Sequence, residues 1–150
     1  MVRFKNRWLL VEFIQSGTQT ATLDGKQIYA ALKQSVIHNF GDAAWGAVAM
    51  SLTVKYFSPT TNVAIIRVAR DHHSIAWGAV TLLTSIAGQR LIPNVVHLSG
   101  TIKHAQLAAI QHNRQVVARF RALANTPAMY QDSYDAFLDQ STKEIEALQD

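Results

Sequence analysis

The hydrophobic pattern changes period several times along the chain, and each change marks an element. In RFKNRWLLVEFI (3–14) aromatic and β-branched residues dominate and Gly17 follows as a break, which predicts a strand. Asp24 stands where a helix N-cap would, and Ile28, Ala31, Leu32, Ser35, Val36, Asn39 and Phe40 recur with helical spacing up to Gly41. DAAWGAVAM (42–50) is rich in small residues and matches neither period. SLTVKYF (51–57) and NVAIIRVA (62–69) read as two strands joined by Ser58-Pro59-Thr60-Thr61. Asp71 is placed to cap a second helix with Ile75, Ala79, Leu82, Leu83 and Ile86 on its core side, ending at Gly88. LIPNVVHL (91–98) predicts a fourth strand, in which Pro93 requires an edge or a start position. A third helix runs from about 101 to 123, Ala124–Tyr130 with Pro127 forms a joint, and Tyr134, Phe137, Leu138, Ser141, Ile145 and Leu148 mark a last amphipathic helix.

The order β-α-β-β-α-β followed by two helices defines an α+β fold. It is the ferredoxin-like, RRM-like βαββαβ sandwich with two additional C-terminal helices. Two units are expected: residues 1–123, a ferredoxin-like domain with a long third helix, and residues 124–150, an amphipathic acidic helix that packs back or onto a partner. In VAIIRV both parities are apolar, Val63 and Ile65 on one side and Ala64, Ile66 and Val68 on the other. Such a strand is buried on both faces. The third helix, the last helix or a second protein must therefore cover the face that this fold normally leaves open. A chain dependent on a partner for that cover would be poorly soluble alone.

Composition narrows the function. The 150 residues are 49% apolar and 16% charged, enough for a folded core, and contain no cysteine, which excludes disulfides and thiolate chemistry. The longest apolar window, Ile75–Ala87, is interrupted and too short to span a bilayer, and no signal peptide is legible, so a soluble intracellular protein is expected. Net charge is +4, unevenly placed. Residues 1–122 hold thirteen of the fourteen Lys/Arg and four of the ten Asp/Glu, a balance of +9, whereas residues 123–150 balance at −5. A basic body with an acidic tail fits either a polyanion partner or an uneven but unliganded surface.

Catalytic signatures are missing. His38, His72, His73, His97, His104 and His112 do not fall into HExxH or any spacing that would place two rings and a carboxylate on one helical face. There is no GxSxG and no Walker loop, and Ser16-Gly17-Thr18 does not resemble a phosphate loop. Stacking of bases on the sheet, as in RNA-recognition modules, needs aromatic residues on the central strands. NVAIIRVA has none, and Trp8 beside Leu9 and Leu10 reads as core.

Recognition of a folded RNA through its backbone asks for less. Arg3, Lys5 and Arg7 share a face of the first strand. On the third helix Lys103, Arg114 and Arg121 fall within about 20° of one another, a line roughly 27 Å long. The apolar stripe Ile102, Ala105, Ala109, Val116, Phe120 and Leu123 lies to one side, and Arg119 with His112 makes a weaker basic edge. Cations along a rigid rod suit phosphates, although a solvated helix face has the same composition. In Ser99-Gly100-Thr101, Gly100 permits close backbone approach and Ser99 or Thr101 can cap the helix, with Lys103 and His104 just inside. This is the geometry of an anion site, and equally of an ordinary capped turn.

MVRFKNRWLLVEF, AIIRVARDHHSIAWGAVTLL and VHLSGTIKHAQ, in this order and at this spacing, resemble the ribonuclease P/MRP protein subunit family of the fifth Pop protein, found in archaea and eukaryotes. The resemblance runs from Met1 to about Arg121 and does not cover the acidic tail. Trp8 departs from the usual tyrosine and Leu98 from the usual valine, neither with loss of charge. The resemblance implies a noncatalytic subunit of a ribonucleoprotein that matures the 5′ end of precursor tRNA and, in the MRP particle, processes ribosomal RNA. The RNA would hold Mg²⁺ and perform hydrolysis, with no cofactor on this chain. It implies contact with the ribonuclease P RNA, a TIM-barrel-like partner of the Rpp-thirty or Rpp-one type and a second ferredoxin-like subunit or copy. The nucleus and nucleolus are the implied location, with no membrane. RNA contacts are implied at Arg3, Lys5 and Arg7, at Arg67 and Arg70, and at Ser99, Gly100, Thr101 and Lys103. Arg114, Arg119 and Arg121 are added by helix geometry alone. The alternatives are a protein-only adaptor and a metal-dependent RNA-processing enzyme standing by itself.

Overall fold

The structure, a computed structural model, describes residues 5–16, 22–125 and 133–150. Arg3, Gly17, Pro127 and Tyr130 therefore lie outside the described residues. Strand β1 (Asn6–Gln15) is followed by α1 (Gly25–Phe40), α2 (Asp42–Val48), β2 (Thr53–Ser58), β3 (Val63–Ala69), α3 (His73–Thr81), β4 (Ser85–Ile86), β5 (Gln89–Ser99), α4 (Ile102–Leu123) and α5 (Tyr134–Glu146). The antiparallel sheet has the order β2-β3-β1-β5-β4, so β1 is central, paired with both β3 and β5. This is the expected ferredoxin-like sandwich with C-terminal helices, enlarged by α2 and the short β4.

Local chemistry explains the boundaries. Asp24 accepts the Gln27 backbone N–H at 2.7 Å while the Gln27 side chain accepts the Asp24 N–H at 3.1 Å, a complete capping box. At the other end Gly41, at φ +89°, donates its N–H to Ile37 and turns the chain at once into α2, which resolves the unread DAAWGAV segment. The β2–β3 connection is shifted by one residue from the expected Ser58–Thr61 to Pro59–Asn62, with Asn62 in the left-handed region at φ 54°.

The second expected helix needs correction at both ends. Asp71 does not cap it, because Arg70–His72 form a 3₁₀ turn and the helix starts at His73, whose Nδ1–H donates to the Arg70 carbonyl at 2.7 Å. It stops at Thr81. Leu82 is half exposed, while Ile86 is buried but lies in β4. Ala87 and Gly88 both take positive φ, which a two-residue hairpin turn requires, and they send the chain into β5. Gly88 is thus a hairpin residue rather than a helix stop. Pro93 lies opposite Phe13, and the Phe13 N–H points the other way, to the Asn62 carbonyl at 2.8 Å. The side of Pro93 that lacks an N–H therefore faces away from β1, where β4 no longer reaches.

Both faces of the sheet are buried, as the pattern of β3 demands. Leu9, Val11, Phe13, Ala64, Ile66 and Val68 pack with Ile28, Leu32, Ala76 and Val80 under α1 and α3. Trp8, Leu10, Val63, Ile65 and Tyr56 pack with Ala105, Ala109, Ile110 and Ile145 under α4 and α5. The second face is thus covered by the chain's own C-terminal helices, and no partner is needed to close it. One-residue irregularities in the pairing, opposite Leu10/Val11 and between Val54 and Tyr56, switch the alternation so that Val95 and Leu98, like Val54 and Phe57, reach the same core.

The inner face of α4 differs from the expected stripe. Leu123 is 84% exposed, whereas the polar Gln106, His112 and Asn113 are buried. Each has a partner. The Gln106 amide donates to the carbonyls of Ile145 and Leu148 at the end of α5, satisfying acceptors the helix itself leaves open. Asn113 accepts from Thr61 at 2.8 Å and donates to Ser141, whose hydroxyl meets the Tyr56 hydroxyl at 2.6 Å. On β1, Glu12 receives His112 Nε2 at 3.1 Å on one oxygen and Arg119 Nη2 at 2.9 Å on the other. The expected basic edge of Arg119 and His112 is therefore a buried carboxylate site that ties α4 to β1.

Asn113→Ala is expected to destabilise the fold by about 2–3 kcal/mol, since it takes the acceptor from the buried Thr61 hydroxyl, leaves Ser141 with Tyr56 alone and opens a void in the core. Around Glu12 the two partners should differ. The Arg119 side chain is 57% exposed, so Arg119→Ala should cost less than about 1 kcal/mol, while His112→Ala should cost about 2–3 kcal/mol. Urea denaturation of the three variants measures all of these values.

Candidate nucleic-acid interface

The antiparallel order brings the start of β1, the exit of β3 and the exit of β5 to one end of the sheet. The described part of RFKNR, Lys5–Arg7, meets there with the IIRVARD and LSGTIK motifs, all far apart in sequence. The Lys5 carbonyl accepts the Arg70 N–H at 2.9 Å, and Trp8 lies between Arg67 on one side and Ser99 on the other. Lys5 and Arg70 are exposed and Arg7 is half-buried. The Arg7 guanidinium donates to the Asn6 carbonyl at 3.1 Å and lies against Gly100, where a Cβ would meet it at 3.5 Å. Arg67 shares the face of Trp8 and reaches the Thr53 hydroxyl at 3.4 Å, while its buried Nε has no hydrogen-bond partner among the described residues. Arg70 touches the exposed carboxylate of Asp71 at 3.5 Å, and Asp150 approaches the edge through Asn6.

Helix α4 begins at this same end. Thr101 is its N-cap, accepting the His104 N–H at 3.3 Å, so the capping role falls to Thr101 and not to Ser99. Ser99 is 4% exposed and its hydroxyl has no hydrogen-bond partner among the described residues. Lys103 and Arg114 are exposed on α4, about 16 Å apart by helical rise. Farther along, Arg121 pairs with Asp135 of α5 at 2.8 Å and Arg119 with Glu12. The structure thus gathers Lys5, Arg7, Arg67, Arg70, Ser99, Gly100, Thr101 and Lys103 at one end. It leaves Arg114 on the rod, and it engages Arg119 and Arg121 with the chain's own carboxylates.

Other chemistries have less to work with. Among the described residues no three metal-ligating side chains cluster, and no helix is long and apolar enough to cross a membrane. The sheet face used for base stacking in RNA-recognition modules is roofed here by α4 and α5, with Trp8 1% exposed beneath them. The buried ties around Glu12 and Asn113 escaped the sequence reading. The clue was a lone glutamate at the parity of Trp8 and Leu10, in a strand where every neighbour is apolar.

Comparison with known proteins follows the same residues. The sequence model of the Rpp14/Pop5 family matches residues 7–110. The chain is 40% identical over 127 residues to the ribonuclease P/MRP protein subunit POP5 of Schizosaccharomyces pombe, covering 78% of this chain and 91% of that one. It is 33% identical over 148 residues to the Danio rerio protein of the same name, covering 94% and 88%. A chain from the cryo-EM structure of yeast ribonuclease MRP superposes with a TM-score of 0.53 at 10% identity, over 97% of this chain and 95% of that one, which is a likeness of fold. The family match takes in most of β1, the whole IIRVARD exit and the LSGTIK turn, and on that match and those relatives the chain belongs to the Rpp14/Pop5 family.

Proposed function

We propose that this chain is a noncatalytic protein subunit of ribonuclease P, and of ribonuclease MRP, that binds and stabilises the RNA of the particle. The observation that carries the reading is a coincidence of two kinds of information. Relatives named as subunits of these particles match 78% and 94% of the chain. The cationic motifs that the chain holds apart in sequence converge on one end of the sheet, beside the N-terminus of a 22-residue helix. Lys5, Arg7, Arg70 and Lys103 there offer charge to phosphates, and the first-turn N–H groups of α4 add a fixed positive pole. Arg67, Ser99, Gly100 and Thr101 complete that surface, Arg3 belongs to the same segment, and Arg114 extends it along the rod. Arg119 and Arg121 would join only after releasing Glu12 and Asp135.

In this reading the RNA, with Mg²⁺ at its active site, cleaves precursor tRNA to remove the 5′ leader and, in the MRP particle, ribosomal RNA precursors. The protein moves no proton and holds no metal. A TIM-barrel-like subunit of the Rpp-thirty or Rpp-one type and a second ferredoxin-like subunit are its protein neighbours, in the nucleus and nucleolus. A protein-only adaptor is the competing reading, and it predicts no RNA contact from any of these side chains.

Binding of the full chain to the particle RNA, followed across a salt series, separates the two. Lys5→Glu, Arg7→Glu, Arg70→Glu and Lys103→Glu are each expected to weaken binding and to lower the slope of log K against log salt by about 0.7–0.9 for every phosphate no longer neutralised. Arg121→Gln, whose partner is Asp135, is expected to leave the slope unchanged. Four unchanged slopes in the glutamate variants would return the chain to the adaptor reading.

A further inference from the structure

Beside the strand-to-helix turn, α4 and β5 flank an open, shallow pocket of about 420 Å³. From α4 it is lined by His104, Leu107, Ala108 and Gln111, whose spacing of three, four and seven residues places them on one helical face. From β5 it is lined by His97, Leu98 and Ser99, and from the turn that follows by Gly100. Ser99 pairs with Trp8 and His97 with Leu10, both in the core beneath α4, so the two side chains share the α4 side of the sheet.

Three observations indicate what would fill it. Ser99 is among the residues that line the pocket, and its buried hydroxyl has no hydrogen-bond partner among the described residues, which is costly for a polar group unless something supplies one. Next to the pocket, though not among its lining residues, Ile102 and Lys103 in the first turn of α4 carry N–H groups with no intrahelical acceptor. Leu107 is 65% exposed on the pocket wall, next to Ala108, an apolar surface waiting for a planar or apolar group. No carboxylate lines the pocket. One end therefore suits an anion, the middle a flat apolar body, and Gln111 at the far end offers both a donor and an acceptor. Those are the parts of a nucleotide in order: phosphate, ring and base edge.

We propose that this pocket takes one nucleotide of a single-stranded RNA segment. Its phosphate sits at the N-terminus of α4 beside Ser99 and Gly100. Its base lies on Leu107 and Ala108, flanked by the imidazoles of His97 and His104, with its edge toward Gln111. The proposal rests on the RNA-binding reading above for its polymer, and it adds what that reading lacks, a place where a base and not only a phosphate is contacted.

The test uses the full chain, isotope-labelled, titrated at constant salt with inorganic phosphate, with ribose 5-phosphate and with each of the four nucleoside 5′-monophosphates. Amide shifts at Ser99–His104 are expected with all of them. Shifts at Leu107 and Gln111 are expected with the mononucleotides alone, which should bind about tenfold more tightly than phosphate because the base adds stacking. Leu107→Glu, at an exposed position, should abolish that preference and leave the rest of the spectrum in place. Equal binding of phosphate and mononucleotide, or no saturable shift at the pocket, overturns the proposal. In the assembled particle, 4-thiouridine-substituted RNA should crosslink to the His104–Gln111 segment and lose that crosslink in Leu107→Glu while the protein stays bound. Protein retained without any such crosslink in the unaltered chain also overturns it and leaves the subunit reading intact. Failure of the chain to enter the particle overturns the subunit reading, and the mononucleotide titration still reports on the pocket.

Discussion

The structure depends on a sheet that has no face to spare. β1 and β3 are apolar on both sides, and water must be excluded from both. The second roof, α4 with α5, is not a plain apolar lid, because the inward face of α4 carries Gln106, His112 and Asn113. Burying those groups without partners would cost more than the surrounding apolar packing returns. The chain places a matching group against each: Glu12 on β1 for His112, Thr61 and a Ser141 held by Tyr56 for Asn113, and the last carbonyls of α5 for Gln106. A roof of leucines could slide by a turn. A roof whose amide must meet two particular carbonyls has one register.

Closing that face limits where the proposed nucleic-acid contact could occur. The surface on which other members of this architecture stack bases is occupied by the chain's own helices, so what remains is the end of the sheet and the flank of α4. Charge follows the same division. The acidic helix α5 lies antiparallel to α4, with Asp135 near Arg121 and its end near the start of β1. Its exposed carboxylates, among them Asp139, Glu144 and Glu146, repel a polyanion from that side. The approach left open is from β5 and the first turns of α4.

Much of the fold was legible because local signals agreed: Asp24 with Gln27, Gly41, the two-sided apolar run of β3 and the Thr101 cap all mean in the structure what they mean in sequence. The misreading at 82–88 has a definite cause. Leu82, Leu83 and Ile86 carry helical spacing, and only the backbone of Ala87–Gly88, both at positive φ, shows that a hairpin interrupts it. An alanine gives no warning of such a conformation. The site was legible as motifs but not as a place, since nothing local says that Lys5, Arg70 and Gly100 adjoin. The fates of the α4 cations were the least legible. A helical wheel puts Lys103, Arg114 and Arg121 in line and cannot know that Asp135, on another helix, meets the last of them.

The strength of each interaction at the sheet end bears on how such a protein must work. A helix N-terminus favours an anion by about 0.3–1 kcal/mol, and exposed lysines and arginines act through screened fields in water. None of these alone holds an RNA at cellular salt. Four strand and helix ends brought to one edge present them together, on a scaffold whose register is set by buried hydrogen bonds, so the cost of ordering them is met in folding and not in binding. Even so, a surface of this kind is better suited to one contact among many than to capture on its own. In the proposed reading, an RNA already held by other subunits would have a raised effective concentration at this edge, and modest, salt-sensitive contacts would be sufficient. On that reading the rigid frame, more than any single contact it offers, would be what the protein contributes to a ribonucleoprotein.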